Sequence, residues 1–128
     1  MKINEPDVLA EVIAASDQYE VALMANDTDT LDTLFWDDTR VERVSPVGEL
    51  LGIESIRSFR AARSTAGLAR ERLDRRVVCF DTHTAIVNVV FRRVADGKIG
   101  RQSQTWVKID GAWRIVFAHI SDRVNSTP

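Results

Sequence analysis

The chain has 128 residues, of which 45% are hydrophobic and 28% charged, and its formal net charge is −2 at pH 7. This composition is typical of one compact globular domain and excludes a disordered chain. Surfaces that bind duplex nucleic acid or membranes usually carry a basic excess, which is missing here, although a few local cations can still hold a small anion. We therefore expect a single domain over residues 1–128, with no nucleic-acid and no membrane partner.

Metal sites, disulfides and targeting segments are not predicted. The single cysteine, Cys79, cannot form an internal disulfide, and no Cys/His cluster has metal-ligand spacing. The opening residues, MKINEPDVLAEV, carry acids and have no apolar signal core, and no apolar run approaches the length of a membrane span. These observations predict a cytoplasmic protein without a metal or an organic cofactor.

The first half of the chain predicts three helices and a hairpin. A long helix is expected over residues 5–26, a short one over residues 28–36, a hairpin over residues 39–52 and a third helix over residues 53–63. The first helix has one face of apolar or aromatic residues at helical spacing, namely Val8, Val12, Ala15, Tyr19, Ala22 and Leu23.

The second half predicts only strands. The expected strands cover residues 69–80, 84–94, 99–109 and 112–121, and the Asp110–Gly111 pair between the last two is a strong hairpin signal. Helices followed by an antiparallel meander indicate an α+β fold with the helices on one face of a curved sheet.

A polar stretch interrupts the third of these strands where a buried strand should pair. Alternate residues of a strand face opposite sides, so either Gln102 and Gln104 face the core together with Trp106, or Arg101 does so together with Ser103. Polar groups that face a closed core are costly unless they are paired. The stretch therefore predicts a polar cavity, unless this end of the strand is solvated or meets a second subunit.

Most of the chain resembles a known family. Three stretches carry the resemblance: YEVALMANDTDTLDTLFW, GIESIRSFRAAR and GRQSQTWVKIDGAWRIVFAHIS. The combination of FRAAR and GRQSQTW is specific, whereas the final strand alone is not. The three stretches are similar to the AtzH-like family, which includes the HpxZ proteins of oxalurate catabolism, within the SnoaL-like or nuclear-transport-factor-two-like superfamily. This resemblance implies a cone-shaped α+β fold, in which a strongly curved antiparallel sheet wraps around the N-terminal helices and leaves a pocket at its open end.

The resemblance also implies a role in nitrogen catabolism. It points to an amidase that acts on a ureido or carboxylated-urea acid, such as dicarboxyurea or an oxalurate-related compound. The family's proposed catalytic pair, a tyrosine of the first helix and an arginine of the first hairpin, corresponds to Tyr19 and Arg43. The alternatives are a non-catalytic ligand-binding or accessory subunit of a partner amidase, and a lyase or isomerase with an unrelated ligand.

For each candidate site residue, a structural role is an alternative to the functional one. Tyr19 could be a core tyrosine bonded to a backbone carbonyl, or its hydroxyl could enter the pocket as a donor or acid/base group. Arg43 could pair with Glu42 or Glu49 at the surface, or clamp a carboxylate through its planar fork. On the third helix we expect Arg63 to face the pocket and Arg60 to face solvent.

The last strand contributes one further candidate. His119 shares its parity with Trp113, Ile115 and Phe117, so we expect it to face the buried side, either as a satisfied core histidine or as an acid/base group. The predicted substrate-binding residues are therefore Arg63, Arg101, Gln104, Trp106 and His119.

The strand AIVNVVF carries apolar residues on both parities, which predicts that both of its faces are buried. Members of the superfamily usually pair through the convex face of the sheet. We therefore expect a homodimer that binds a small anionic ureido or carboxylate ligand, with a partner amidase as a further possible contact.

Overall fold

The computed structural model describes residues 1–123. Its helices are α1 (Pro6–Met24), α2 (Thr28–Leu34) and α3 (Ile53–Ala62). Its strands are β1 (Glu42–Ser45), β2 (Gly48–Leu51), β3 (Arg70–Phe80), β4 (Thr84–Arg93), β5 (Ile99–Ile109) and β6 (Ala112–Asp122). The order of helices, hairpin and meander is the one that the sequence predicts.

The strands form one six-stranded sheet in the order β2-β1-β6-β5-β4-β3. All neighbours are antiparallel except β1 and β6, which run parallel. The sheet curls around the N-terminal helices without closing, which confirms the predicted α+β class. Within the described part of the chain, no helix is long and apolar enough to cross a membrane.

Helix α1 positions the first site residue. Pro6 begins the helix, where its missing N–H costs nothing, and the left-handed Asn26 follows its end. The buried face is close to the predicted one, and consists of Val8, Val12, Ser16, Tyr19, Ala22 and Leu23. This face packs inside the curl, so Tyr19 is 5% exposed.

The inward face of β5 shows which residues of the polar stretch face the core. Gln102 and Gln104 are buried together with Trp106, whereas Arg101 and Ser103 are exposed on the outer face. The expectation that Arg101 enters the pocket is therefore wrong, because the fully buried Trp106 ring sets the opposite parity for the strand.

A β-bulge in β6 changes the parity of its second half. Trp106 pairs with Ile115 and Thr105 with Phe117, so Val116 is an extra residue without a cross-strand partner. Beyond the bulge, Ala118 and Ile120 take the inward positions. The prediction that His119 faces the buried side is wrong for this reason, and its side chain is exposed on the outer face.

Gly100 has no room for a side chain. A Cβ atom there would lie 2.5 Å from Cζ of Phe91 and 3.1 Å from the carbonyl oxygen of Ser121. We expect Gly100→Ala to lower the free energy of unfolding by about 1–3 kcal/mol, because the ring must leave its packed position. Urea unfolding, with the exposed Arg101→Ala as control, checks this. Equal midpoints for both variants would contradict the close contact.

The outer face carries a partly exposed apolar row across the sheet. Val78, Ile86 and Phe117 lie in register with Thr105 between them, and Val78 and Ile86 are 36% and 37% exposed. We predict that a second copy of the chain covers this row. Light scattering should then give twice the mass of one chain for the native protein and a single-chain mass for Ile86→Glu. A native monomer at micromolar concentration would rule the predicted dimer out.

Candidate functional site

A cavity of about 100 Å³ lies between α1 and the inner face of the sheet. It draws residues from both sides of the fold, because the curl brings β1 and the segment after α3 opposite β4 and β5. The lining residues are Tyr19, Leu23, Arg43, Arg63, Gly67, Leu68, Arg70, Phe91, Arg93, Gln102 and Ile120.

Tyr19 faces this cavity from α1. Its hydroxyl oxygen accepts a hydrogen bond from Nε2 of Gln102 at 3.1 Å, and its ring packs at a tilt against Phe35, with centroids 6.5 Å apart. The partner of the hydroxyl is a side chain of β5, whereas the core reading expected a backbone carbonyl. That bond uses a lone pair of the oxygen and does not engage the phenol's own proton.

Arg43 reaches the cavity from β1. The residue is 8% exposed, and its Cζ lies 4.9 Å from the centroid of the Phe59 ring. The NH1 atom is buried and has no hydrogen-bond partner among residues 1–123. Burial lowers the pKa of this guanidinium, the nearby Tyr19 acts in the opposite direction, and the charge of Arg60 lowers it further.

Arg63 ends α3 and turns its side chain into the same cavity, as predicted. Its Nε and NH2 atoms are buried and also lack a partner in the described chain. Burial is the main cause that lowers its pKa, and the positive charges of Arg60 and Arg43 add to it. These two guanidiniums, of Arg43 and Arg63, are called the open pair below.

Arg60 does not face solvent, so that part of the prediction is wrong. It is 3% exposed, forms an ion pair with Asp32 of α2 through NH1, and lies 4.9 Å over the Phe35 ring. The pairing across two helices takes Arg60 into the protein, since an aspartate is waiting there to balance its charge.

The two remaining arginines of the cavity wall also have carboxylate partners. Arg70 pairs with Glu20, and its Cζ lies 4.5 Å from the centroid of the Phe91 ring. Arg93 donates to Asp122 at 2.5 Å. Unlike these two, the open pair has no acidic partner in the part of the chain that the structure describes. The cavity is therefore electropositive.

The chemical repertoire of the wall is narrow. Of the described lining residues, none carries a carboxylate, an imidazole or a thiol, and Tyr19 carries the phenol. No group of three His, Cys, Asp or Glu residues is arranged to hold a metal ion within residues 1–123. The arrangement can bind an anion and move a proton through one hydroxyl.

Two predicted substrate contacts lie elsewhere in the core. Nε1 of Trp106 donates to Oε1 of Gln104 at 3.0 Å, and both side chains are buried beyond the described cavity wall. Gln102 takes the place expected of Gln104. Gln102 lies on the same face of β5 as Trp106, so the sequence pattern also predicts that it is buried. Which of the two glutamines lines the cavity depends on the depth of the cavity, which the pattern does not give.

These features define the class of fold. The structure is similar to a nuclear transport factor 2 (NTF2-like) superfamily protein from Salmonella enterica, with a TM-score of 0.76, 20% sequence identity and 94% coverage of each chain. The protein thus has the NTF2-like, or SnoaL-like, fold.

The amino-acid sequence identifies the family within this fold. The family model described as AtzH-like matches residues 1–125, so the chain belongs to the AtzH-like family. A solved protein of unknown function from Pectobacterium atrosepticum is 45% identical, with 95% of each chain covered and a TM-score of 0.92. A cystatin-like fold protein from Burkholderia xenovorans is 34% identical, with 98% and 99% covered and a TM-score of 0.92. No curated protein matches the chain.

Asp32 is expected to hold Arg60 inside the protein. Asp32→Asn leaves a buried guanidinium without its counter-charge, so we expect the free energy of unfolding to fall by about 3 kcal/mol. Asp29→Asn, on the exposed side of the same helix, is the matched control and should cost less than about 0.5 kcal/mol. Chemical unfolding measures both, and similar small losses would show that the ion pair contributes little.

Proposed function

We propose that this protein binds the carboxylate of a ureido or carboxylated-urea acid, such as dicarboxyurea or an oxalurate-related compound, and hydrolyses one of its amide bonds. The observation that supports this most is the open pair, which has three buried nitrogen atoms without a hydrogen-bond partner among residues 1–123 and lines the same cavity as Tyr19. The family membership fits an enzyme of nitrogen catabolism.

A carboxylate is the ligand that best satisfies the open pair. Unpaired buried charges are costly, and an ionised carboxylate offers each guanidinium a strong charge-assisted acceptor. Arg43 and Arg63 come from different elements, so a small acid can contact both at once. The fork of a guanidinium also remains charged at any ordinary pH, even where burial lowers its pKa.

The same contacts support hydrolysis of an amide. Water adds to the carbonyl carbon, the C–N bond breaks, and the leaving nitrogen takes up a proton. In this proposal Arg43 stabilises the charge that develops on the carbonyl oxygen, and Tyr19 gives its proton to the nitrogen and regains one from the added water. No metal or organic cofactor takes part.

One observation favours the second candidate, a ligand-binding or accessory subunit of a partner amidase. The described wall of the cavity offers no carboxylate or imidazole that could act as a base toward water. A partner enzyme would then supply the catalytic groups, and the cavity would sense or deliver its acid.

Turnover of the purified protein tests the first candidate. We expect ammonia release from dicarboxyurea, oxalurate or allophanate, with a loss of at least about 100-fold in Tyr19→Phe, because the proton donor is gone. Arg43→Met should lose activity to a similar extent through the unstabilised oxyanion. Arg101→Ala, on the outer face, should keep full activity.

The same samples separate the two candidates. Calorimetric binding of these acids without turnover would establish the accessory role. If the protein shows no turnover and no binding of these acids, both candidate functions are contradicted.

A further inference from the structure

Gln102 has a feature that the proposed reaction does not use. The residue is 2% exposed, and while its Nε2 is bonded to Tyr19, its Oε1 is buried without a partner among the described residues. An amide carbonyl in this state is costly unless a bound molecule supplies a donor. We propose that Gln102 determines specificity by accepting a hydrogen bond from an N–H group of the ligand.

The strand holds Gln102 in place. Its backbone pairs with Val89 of β4 on one side and with Ile120 of β6 on the other, in the middle of the sheet. The side chain therefore enters the cavity from a rigid position, which a specificity contact requires.

The charges around the cavity favour this orientation of the amide. The positive charges of the open pair line the same cavity as Gln102 and favour the negative end of the amide dipole on their side. The nitrogen is then left for the hydroxyl oxygen of Tyr19. Gln104, two residues along, has the reverse arrangement, since its Oε1 accepts from Trp106 and its Nε2 is unpartnered within residues 1–123.

The ligand that complements this site carries both a hydrogen-bond acceptor and a hydrogen-bond donor. Arg43 and Arg63 need acceptors, which any carboxylate provides, whereas Gln102 needs a donor. Amide and ureido acids bring an N–H close to a carboxylate, while keto acids and esters of the same shape bring acceptors only. A site with a buried hydrogen-bonding group rejects the analogue that leaves it unpaired. This inference rests on the proposed anion site and adds that Gln102 selects, among small anions, those that carry an N–H group.

The test uses two acids that differ by one group. N-Acetylglycinate and 4-oxopentanoate have the same charge and shape, but the amide N–H of the first is a CH₂ in the second. We expect calorimetry to show that the native protein binds N-acetylglycinate at least about tenfold more tightly. In Gln102→Met the ratio should fall to about one, with 4-oxopentanoate still bound. Gln104→Met is the matched control and should keep the native ratio.

Tyr19→Phe provides an independent variant. Without the hydroxyl the amide of Gln102 is free to turn, so the native preference should fall at least about threefold although Gln102 is intact. Thermal melting of each variant shows that it is folded, and if Gln102→Met does not fold, the ratio of Tyr19→Phe decides. Equal binding of the two acids by the native protein, or an unchanged ratio in Tyr19→Phe, would overturn the role of Gln102 while leaving the anion site in place. If the native protein binds neither acid, both the role of Gln102 and the anion site are overturned.

Discussion

Two guanidinium groups, those of Arg43 and Arg63, have no carboxylate partner within residues 1–123, and they make this cavity electropositive. Each costs several kcal/mol to remove from water, and the protein offsets this cost for three neighbouring arginines with an aspartate or glutamate. Arg43 lies over the face of the Phe59 ring, and the phenol of Tyr19 lines the same cavity as Arg43 and Arg63. A site of this kind favours the binding of an anion, because the bound anion pairs with charges that have no partner in the described fold.

The fold supports this arrangement by holding its parts on rigid elements. The curl of the sheet brings β1 and the end of α3 opposite β5, and the Phe91 ring packs tightly over Gly100 beside the cavity. Helix α1 places Tyr19 against Gln102, so a helix and a central strand jointly orient the two neutral polar groups. In the proposed function, anion binding, proton transfer and the choice of ligand therefore depend on neighbouring residues of one cavity.

Periodicity was enough to predict the helices and strands within a few residues, and the buried Trp106 explains why only one parity of the polar stretch is buried. The errors came from interactions that a linear pattern does not encode. The bulge at Val116 has no glycine or proline to announce it, and it moves His119 to the outside. Arg60 looked solvated because its partner Asp32 lies 28 residues away in sequence.

The most direct test of the anion site is the affinity for oxalurate measured by titration calorimetry in the native protein and in Arg63→Met. We expect that the native protein binds oxalurate and that the variant, which stays folded, binds it at least about tenfold more weakly. We also expect a weak dependence of the affinity on salt, because buried ion pairs are poorly screened. Equal affinities in the two proteins, or a native affinity that disappears at moderate ionic strength, would contradict an anion site built on the open pair.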